Sequence, residues 1–264
     1  MPRVLFLSGL ALLVASGTTS CASFGGDELR FPEDMTGKNM IGLATGWAFV
    51  EADVDLENGT GPLADPVFGG TDVGSSTTDL EPVFGLGLRY LHYVTNNLLV
   101  GGLIEHRIFD PDSTRPLNAD LDIDEFGTNH FILDVRWQFD PIDKSKRLRP
   151  FAGIQLGYVP EVSADGTARY DAIPGLGIPE TIEDVSLEGD DFFTLGFLVG
   201  ASYLLREDLT LDFGAFYEFM LDPTEDTIEL QPFPNSPPLD GVSTFDGELV
   251  ESGLYLSVGL SFVF

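Results

Sequence analysis

The last segment of the chain, Glu248–Phe264, reads ELVESGLYLSVGLSFVF. From Leu254 onward every second residue is large and apolar, up to Phe264 at the end of the sequence. Most residues between them are small or hydroxylated, among them Ser257, Gly259 and Ser261. Alternation with a period of two is typical of a β-strand whose two faces meet different surroundings. The segment therefore predicts a strand with one continuous apolar face.

The composition favours strands over helices and excludes some classes of function. The 264 residues include 30 Gly and 21 Phe but only 13 Lys and Arg, and the net charge is −30. With 43% hydrophobic residues, the chain is too apolar for general disorder. Nucleic acid is not expected as a partner, because phosphate binding needs clustered Lys and Arg. No Gly-rich phosphate loop or Cys/His cluster occurs, so no cofactor is expected.

The N-terminus predicts export. Met1–Arg3 carries one positive charge and Val4–Ala15 is a 12-residue apolar run, too short to span a membrane as a helix. Two processing routes remain open. Ser20–Ala22 fits a signal-peptidase site, which makes residues 1–22 a signal peptide; alternatively, the segment resembles a lipobox, so that the signal ends before Cys21 and Cys21 is lipidated. Residues 23–38 are then a polar leader and residues 39–264 a single domain.

Seven earlier segments repeat the two-residue alternation. They are Met40–Val54, Leu80–Tyr93, Leu98–Phe109, Phe126–Asp140, Arg149–Tyr158, Phe193–Tyr203 and Leu211–Phe219. Their lengths suit strands that cross a bilayer, which need roughly 9–11 residues. The connections alternate between long and short, and four are long and acidic: Asp55–Asp79, Asp110–Asp124, Val159–Asp190 and Leu221–Gly247. This rhythm favours a barrel over a β-sandwich, with short periplasmic turns and long external loops.

Charged residues occupy the face opposite the apolar one. We call seven of them the lumen charge cluster: Arg89, Glu105, Arg107, Asp134, Arg136, Asp212 and Glu218. In a membrane barrel they fill the interior, and an even number of strands leaves no open edge. The predicted fold is therefore all-β: an eight-stranded, antiparallel, up-and-down transmembrane barrel. Because buried charges must nearly balance, these residues predict a salt-bridged plug. A narrow pore is the alternative, since glycines on the same face leave room for water.

The C-terminal ending resembles the last strand of bacterial outer-membrane barrels. Across nearly its whole mature length, the chain resembles the OmpA-like group of small eight-stranded barrels, without the peptidoglycan-binding domain of the full-length proteins. The resemblance implies that Leu260, Phe262 and Phe264 form the signal read by the barrel assembly machinery. It also implies an outer-membrane location, contact with membrane lipid and lipopolysaccharide, and a monomeric protein.

Two further groups of residues suggest sites. Lipid A deacylases carry a His-x-Ser pair, and none of the three histidines is followed two residues later by Ser. His130 could meet a distant Ser, but we expect an interfacial polar residue instead, and no enzyme. Asp120, Asp122 and Asp124 could hold Ca²⁺, but Glu125 stands where an EF-hand loop needs Gly. We expect weak association of divalent cations with the loops and no dedicated metal site.

Three functions follow in order of preference. The first is a structural or surface-interaction barrel, whose acidic loops contact cations or external partners. The second is a narrow, porin-like channel for small solutes. The third is a hydrolase that modifies lipid A.

Overall fold

The computed structural model describes residues 29–60, 76–79, 83–110, 119–142, 146–160, 162–170, 180–221, 224–230 and 243–264. The predicted signal peptide and the candidate lipidation residue Cys21 lie outside these residues. Within the described ranges, no helix is long and apolar enough to cross a membrane.

The described residues form strands joined by turns and connections. In chain order these are β1 (Asn39–Thr60), β2 (Ser76–Asp79), β3 (Val83–Tyr93), β4 (Leu98–Phe109), β5 (Ala119–Ile123), β6 (Phe126–Gln138), β7 (Leu148–Val159), β8 (Val162–Tyr170), β9 (Thr181–Gly189), β10 (Phe192–Arg206), β11 (Leu209–Met220), β12 (Thr224–Leu230) and β13 (Ser243–Val263). Eight of them form an antiparallel barrel in the order β1-β3-β4-β6-β7-β10-β11-β13. The predicted fold class is confirmed.

The barrel closes through the first and last strands. β1 pairs with β13 from Met40 opposite Val263 to Thr60 opposite Thr244. At the turn end the backbone N of Asn39 donates to the carbonyl of Phe264 at 2.8 Å, and Phe264 N donates to Asn39 O at 2.9 Å. The C-terminal segment therefore forms the seam of the barrel, and every strand edge inside it has a partner.

The long connections contain more strand than the sequence analysis expected. β2 and β12 add to the outer ends of β1 and β13, and β5, β8 and β9 form a separate three-stranded sheet. The treatment of these segments as loops throughout was wrong. Their Gly, Pro and acidic residues lower strand propensity, but strands that extend past the barrel offer unpaired backbone groups, and these must find partners.

The two faces of each barrel strand meet different surroundings. The outward face is apolar and exposed, and includes Leu43, Phe49, Leu86, Leu88, Ile104, Leu133, Trp137, Ile154, Phe197, Phe213, Leu256 and Phe262. The inward face is buried, and it carries both polar and apolar side chains. The orientation of each apolar stripe agrees with the alternation in the sequence.

The interior also holds apolar clusters, which the sequence analysis did not anticipate. One lies at the end with the short turns: Met35, Met40, Leu91, Tyr93, Leu99 and Val263. Another lies at the opposite end, formed by Val159, Phe192 and Met220. A third contains Phe109, Phe151, Leu198, Phe216 and Tyr255. The interior is therefore not lined only by small and charged residues.

Candidate functional site

The structure places the whole lumen charge cluster inside the barrel. Its seven members come from strands β3, β4, β6 and β11 and are at most 6% exposed. Each lies at an inward position of the two-residue alternation, which brings residues far apart in sequence into one interior. In this environment an unpaired charge costs several kcal/mol, so the partners of each group decide whether the arrangement is stable.

Arg107 joins two carboxylates. Its Nε donates to Glu105 Oε2 at 2.8 Å, and its two terminal nitrogens donate to the two carboxylate oxygens of Glu218, each at 3.0 Å. The contact with Glu218 is a bidentate, charge-assisted pair, the strongest geometry available to Arg. Because Glu218 comes from β11 and Arg107 from β4, the pair spans the interior of the barrel.

Two aromatic rings cover the same guanidinium group. Phe216 and Tyr255 stack with a centroid separation of 4.6 Å and an interplanar angle of 6°. The guanidinium carbon of Arg107 lies 4.3 Å from the Tyr255 centroid and 5.9 Å from that of Phe216. These cation–π contacts add to the ion pairs and keep water from Arg107. The guanidinium group of Arg107 therefore has both carboxylate and aromatic partners.

Arg89 forms the second ion pair that crosses the interior. Its guanidinium group pairs with the carboxylate of Asp212 on β11. Ser261 Oγ accepts from Arg89 at 3.1 Å and donates to Asp212 at 3.0 Å. Ser261 belongs to the small face of the C-terminal strand, so this pair connects β3, β11 and the barrel seam.

The third pair lies along one strand. Arg136 Nε donates to Asp134 Oδ1 at 2.8 Å, and Gln155 Nε2 donates to Asp134 Oδ2 at 3.1 Å. The Arg136 guanidinium lies 4.9 Å from the Phe151 ring centroid. Asp134 is fully buried, and these donors compensate its charge.

Arg149 is a buried arginine that the sequence analysis left out of the cluster. It is 2% exposed and donates to the backbone carbonyls of Phe139 at 3.2 Å and Asn96 at 2.9 Å. Its parity along β7 matches that of Gln155, which is inward. The alternation alone was therefore enough to place Arg149 inside. With it, the buried charges among the described side chains are four arginines and four carboxylates, a balanced set.

The free space beside Arg107 is small. A cavity of about 10 Å³ lies beside Arg107 and is lined by Gly46, Ala48, Gly85, Glu105, Phe216 and Tyr255. This volume is at the lower limit for one water molecule. Gly46 and Gly85 line this cavity, whereas larger neighbours lie close to several glycines of the inward face. A Cβ on Gly85 would lie 2.7 Å from Glu105 Oε1, and one on Gly200 would lie 2.5 Å from the Phe151 ring.

His130 lies inside the barrel, so its assignment as an interfacial residue was wrong. It is 1% exposed, and its Nε2 lies 2.8 Å from Thr128 Oγ1. Its Nδ1 lies 4.0 Å from Glu218 Oε1, too far for a hydrogen bond. The hydroxyl of Thr128, the imidazole of His130 and the carboxylate of Glu218 are thus near one another. The carboxylate, however, is bound by Arg107.

The other two histidines also have polar partners. His92 Nδ1 lies 2.9 Å from Asn39 Oδ1, and His106 Nδ1 lies 3.1 Å from Asn129 Oδ1. Each of the three histidines therefore has an Asn or a Thr side chain as a polar partner. The distant Ser that the sequence analysis considered as a partner of His130 is thus replaced by a Thr two residues away.

The remaining candidate residues lie away from this network. Asp122 and Asp124 are exposed on and beside β5, and the side chain of Asp120 lies outside the described side chains. Among described side chains, no group of three His, Cys, Asp or Glu residues is placed to hold a metal ion. Phe262 and Phe264 of the expected assembly signal point outward and are 52% and 64% exposed. Leu260 lies on the same face and is half-buried.

No protein-family model matches the chain, and no curated protein matches it in sequence. The outer membrane protein OprG from Pseudomonas aeruginosa matches in structure, with a TM-score of 0.51 and 15% identity over 87% of this chain and 97% of OprG.

Two other solved structures resemble the chain less closely. The outer membrane protein AlkL in lipid bilayers has a TM-score of 0.45 and 15% identity over 92% of this chain and 95% of AlkL. The outer membrane protease OmpT from Escherichia coli has a TM-score of 0.45 and 9% identity over 88% of this chain and 99% of OmpT. With its closed eight-stranded barrel, its exposed apolar band and its similarity to OprG, the chain has the fold of a small outer-membrane β-barrel.

Proposed function

We propose that this protein resides in a bacterial outer membrane, that ion pairs close its lumen, and that it acts through its external surface as a structural or surface-interaction barrel. The observation that carries the proposal is the bidentate pair between Arg107 and Glu218 across the interior. A residue that lines a conducting pore needs access to water, whereas Arg107 is 1% exposed. In this proposal the long connections lie on the external side of the membrane and make most of the contacts with cations or partners.

The exposed apolar band supports the location. It is a continuous face of Leu, Phe, Ile and Trp side chains, which in water would be an aggregation hazard and in lipid is the required exterior. The outward position of Phe262 and Phe264 on the seam strand supports the proposal that the assembly machinery reads them. The burial of His130 supports the absence of lipid hydrolysis, since a substrate cannot reach an imidazole that is 1% exposed.

Planar-bilayer recordings of the refolded protein test the closed lumen. We expect no conductance steps of reproducible size, because three ion pairs and two aromatic rings occupy the interior. Folding and insertion are checked beforehand by heat-modifiable migration on a detergent gel.

Two variants interpret any current that is seen. Arg107→Lys keeps the charge but not the bidentate contact, and Leu88→Ala changes only the outward face. Reproducible wild-type steps that change in Arg107→Lys and not in Leu88→Ala would support the channel and overturn the proposal.

A further inference from the structure

Residues 29–38 of the predicted polar leader contact the barrel. Phe31 N donates to the carbonyl of Lys146 at 3.1 Å, and Arg147 Nε donates to the carbonyl of Leu29 at 3.0 Å. The Phe31 side chain is 4% exposed, and the guanidinium carbon of Arg149 lies 5.6 Å from its ring centroid. The leader therefore binds to the connection between β6 and β7, at the turn end of the barrel.

Met35 anchors the leader a second time. Its side chain is 1% exposed and its backbone N donates to Asn96 Oδ1 at 3.0 Å, in the turn between β3 and β4. It packs into the apolar cluster at the turn end, with Met40, Leu91, Tyr93, Leu99 and Val263. These partners belong to β1, β3, β4 and β13. The Met35 side chain therefore packs against strands on both sides of the β1–β13 seam, at the turn end of the barrel.

A tight turn brings Met35 to this position. Lys38 N donates to Met35 O at 3.0 Å, and Gly37 between them has a φ of 80°. Gly at this position with a positive φ is the signature of a type II turn. Thr36 N donates to Asp34 Oδ1 at 2.9 Å, and this hydrogen bond holds the pKa of Asp34 below its usual range. Gly37 N in turn donates to Tyr93 O at 2.8 Å, which joins the turn to β3.

We infer that residues 29–38 form an N-terminal cap that seals the turn end of the barrel. Phe31 and Met35 act as its two anchors, on opposite sides of the mouth. Without the cap, the apolar cluster beneath it opens to water, and so does Thr210, which is 1% exposed and lies 3.9 Å from Met40 Sδ through its Oγ1. The inference goes beyond the proposed function, because the ion pairs lie deeper in the barrel and close the lumen independently of the cap.

Thiol accessibility tests the cap. Thr210→Cys, in a chain with Cys21→Ser, places a single near-isosteric thiol beneath the cap. The refolded protein is exposed to a bulky, water-soluble maleimide, and the rate of labelling is measured. We expect slow labelling with the native cap and at least a tenfold faster rate when Met35→Asp is added, since a buried carboxylate without a partner undocks the segment.

Three controls separate undocking from unfolding. Met35→Leu keeps the apolar anchor and should label as slowly as the parent, and so should Leu221→Asp, an equal change at a residue of the opposite end that is 44% exposed. A thiol at Thr194→Cys, 4% exposed near the opposite end, should stay slow in Met35→Asp. If Met35→Asp does not refold, a chain that begins at Lys38 replaces it. Equal labelling of Thr210→Cys with and without the cap in folded protein overturns the inference.

Discussion

At the scale of single residues, each buried charge in the barrel interior depends on its partners for stability. Asp212 receives its hydrogen bonds from Arg89 and Ser261, and its second oxygen has no partner among the described residues. Removal of Arg89 therefore leaves a carboxylate buried beside a single hydroxyl. A buried ion pair adds little stability compared with a well-packed apolar pair, yet the loss of one partner is severe.

This asymmetry predicts the outcome of a double-mutant experiment. Arg89→Met should lower the free energy of unfolding by about 3–5 kcal/mol, because Asp212 is left buried without its counter-ion. Arg89→Met combined with Asp212→Leu should return most of that loss. Urea titration in detergent, followed by heat-modifiable migration, measures both. A double variant as unstable as the single one would show that packing around Arg89, and not its charge, is what matters; Leu88→Met, on the outward face, is the control.

The same scale shows what the sequence could and could not reveal about the site. The two-residue alternation placed all seven charges of the lumen cluster inward, because parity along a strand decides which face a residue occupies. The same parity places Arg149 inward, but Arg149 was the first residue of its predicted strand and was not included in the cluster. The partner of each charge was beyond reach, since Arg107 and Glu218 are brought together by strand order and stagger, which alternation does not encode.

At the scale of elements, barrel strands were predictable and the segments outside them were not. Leu98–Phe109 begins and ends where the alternation predicts, and the strand at Phe126 ends within two residues of it. The cap was missed because residues 29–38 have no periodicity. Phe31 and Met35 are anchored singly, by contacts with turns from distant parts of the chain, and a lone apolar residue in a polar stretch gives no pattern to read.

The turn at Gly37 offers a test of the cap that leaves its anchors unchanged. A Cβ at Gly37 meets no atom within 4 Å, so Gly37→Ala acts only through the positive φ. A non-Gly residue in this conformation costs roughly 1–2 kcal/mol. We expect Gly37→Ala to raise the labelling rate of Thr210→Cys by at most about 30-fold, since each 1.4 kcal/mol is roughly a factor of ten. Gly37→Asn, which tolerates positive φ, should raise it less; equal rates for the two would exclude backbone strain as the cause.

At the scale of the whole molecule, polar and apolar side chains are distributed in the opposite way to those of a soluble protein. The exterior of the barrel is apolar, and its interior holds the arginines, carboxylates and amides. Sequence alternation cannot distinguish this arrangement from a soluble sandwich, because both place large residues on one face. Barrel closure decides between them, since the large side chains point outward from a closed barrel.

A charge placed on the outward face tests this arrangement. Leu88 is 51% exposed, and in a soluble protein Leu88→Lys would change stability by within about 0.5 kcal/mol. On the lipid face near mid-depth it should cost about 2–4 kcal/mol. Urea titration of refolded protein in lipid vesicles measures the difference. Ile142→Lys, at a turn outside the band, is the matched control and should have little effect. A neutral result for Leu88→Lys would count against the membrane location.

The seam between β1 and β13 has a consequence for the order of events during biogenesis. β1 is the first strand of the barrel and β13 the last, so the closing contacts link the two parts of the barrel that are most distant in sequence. Contacts of such high sequence separation form slowly. Until β13 pairs with β1, β1 and the other edge of the sheet are each open to other chains. A sheet that has not yet closed is therefore the form most prone to aggregation, and chaperones that bind unfolded chains matter most before β13 pairs with β1.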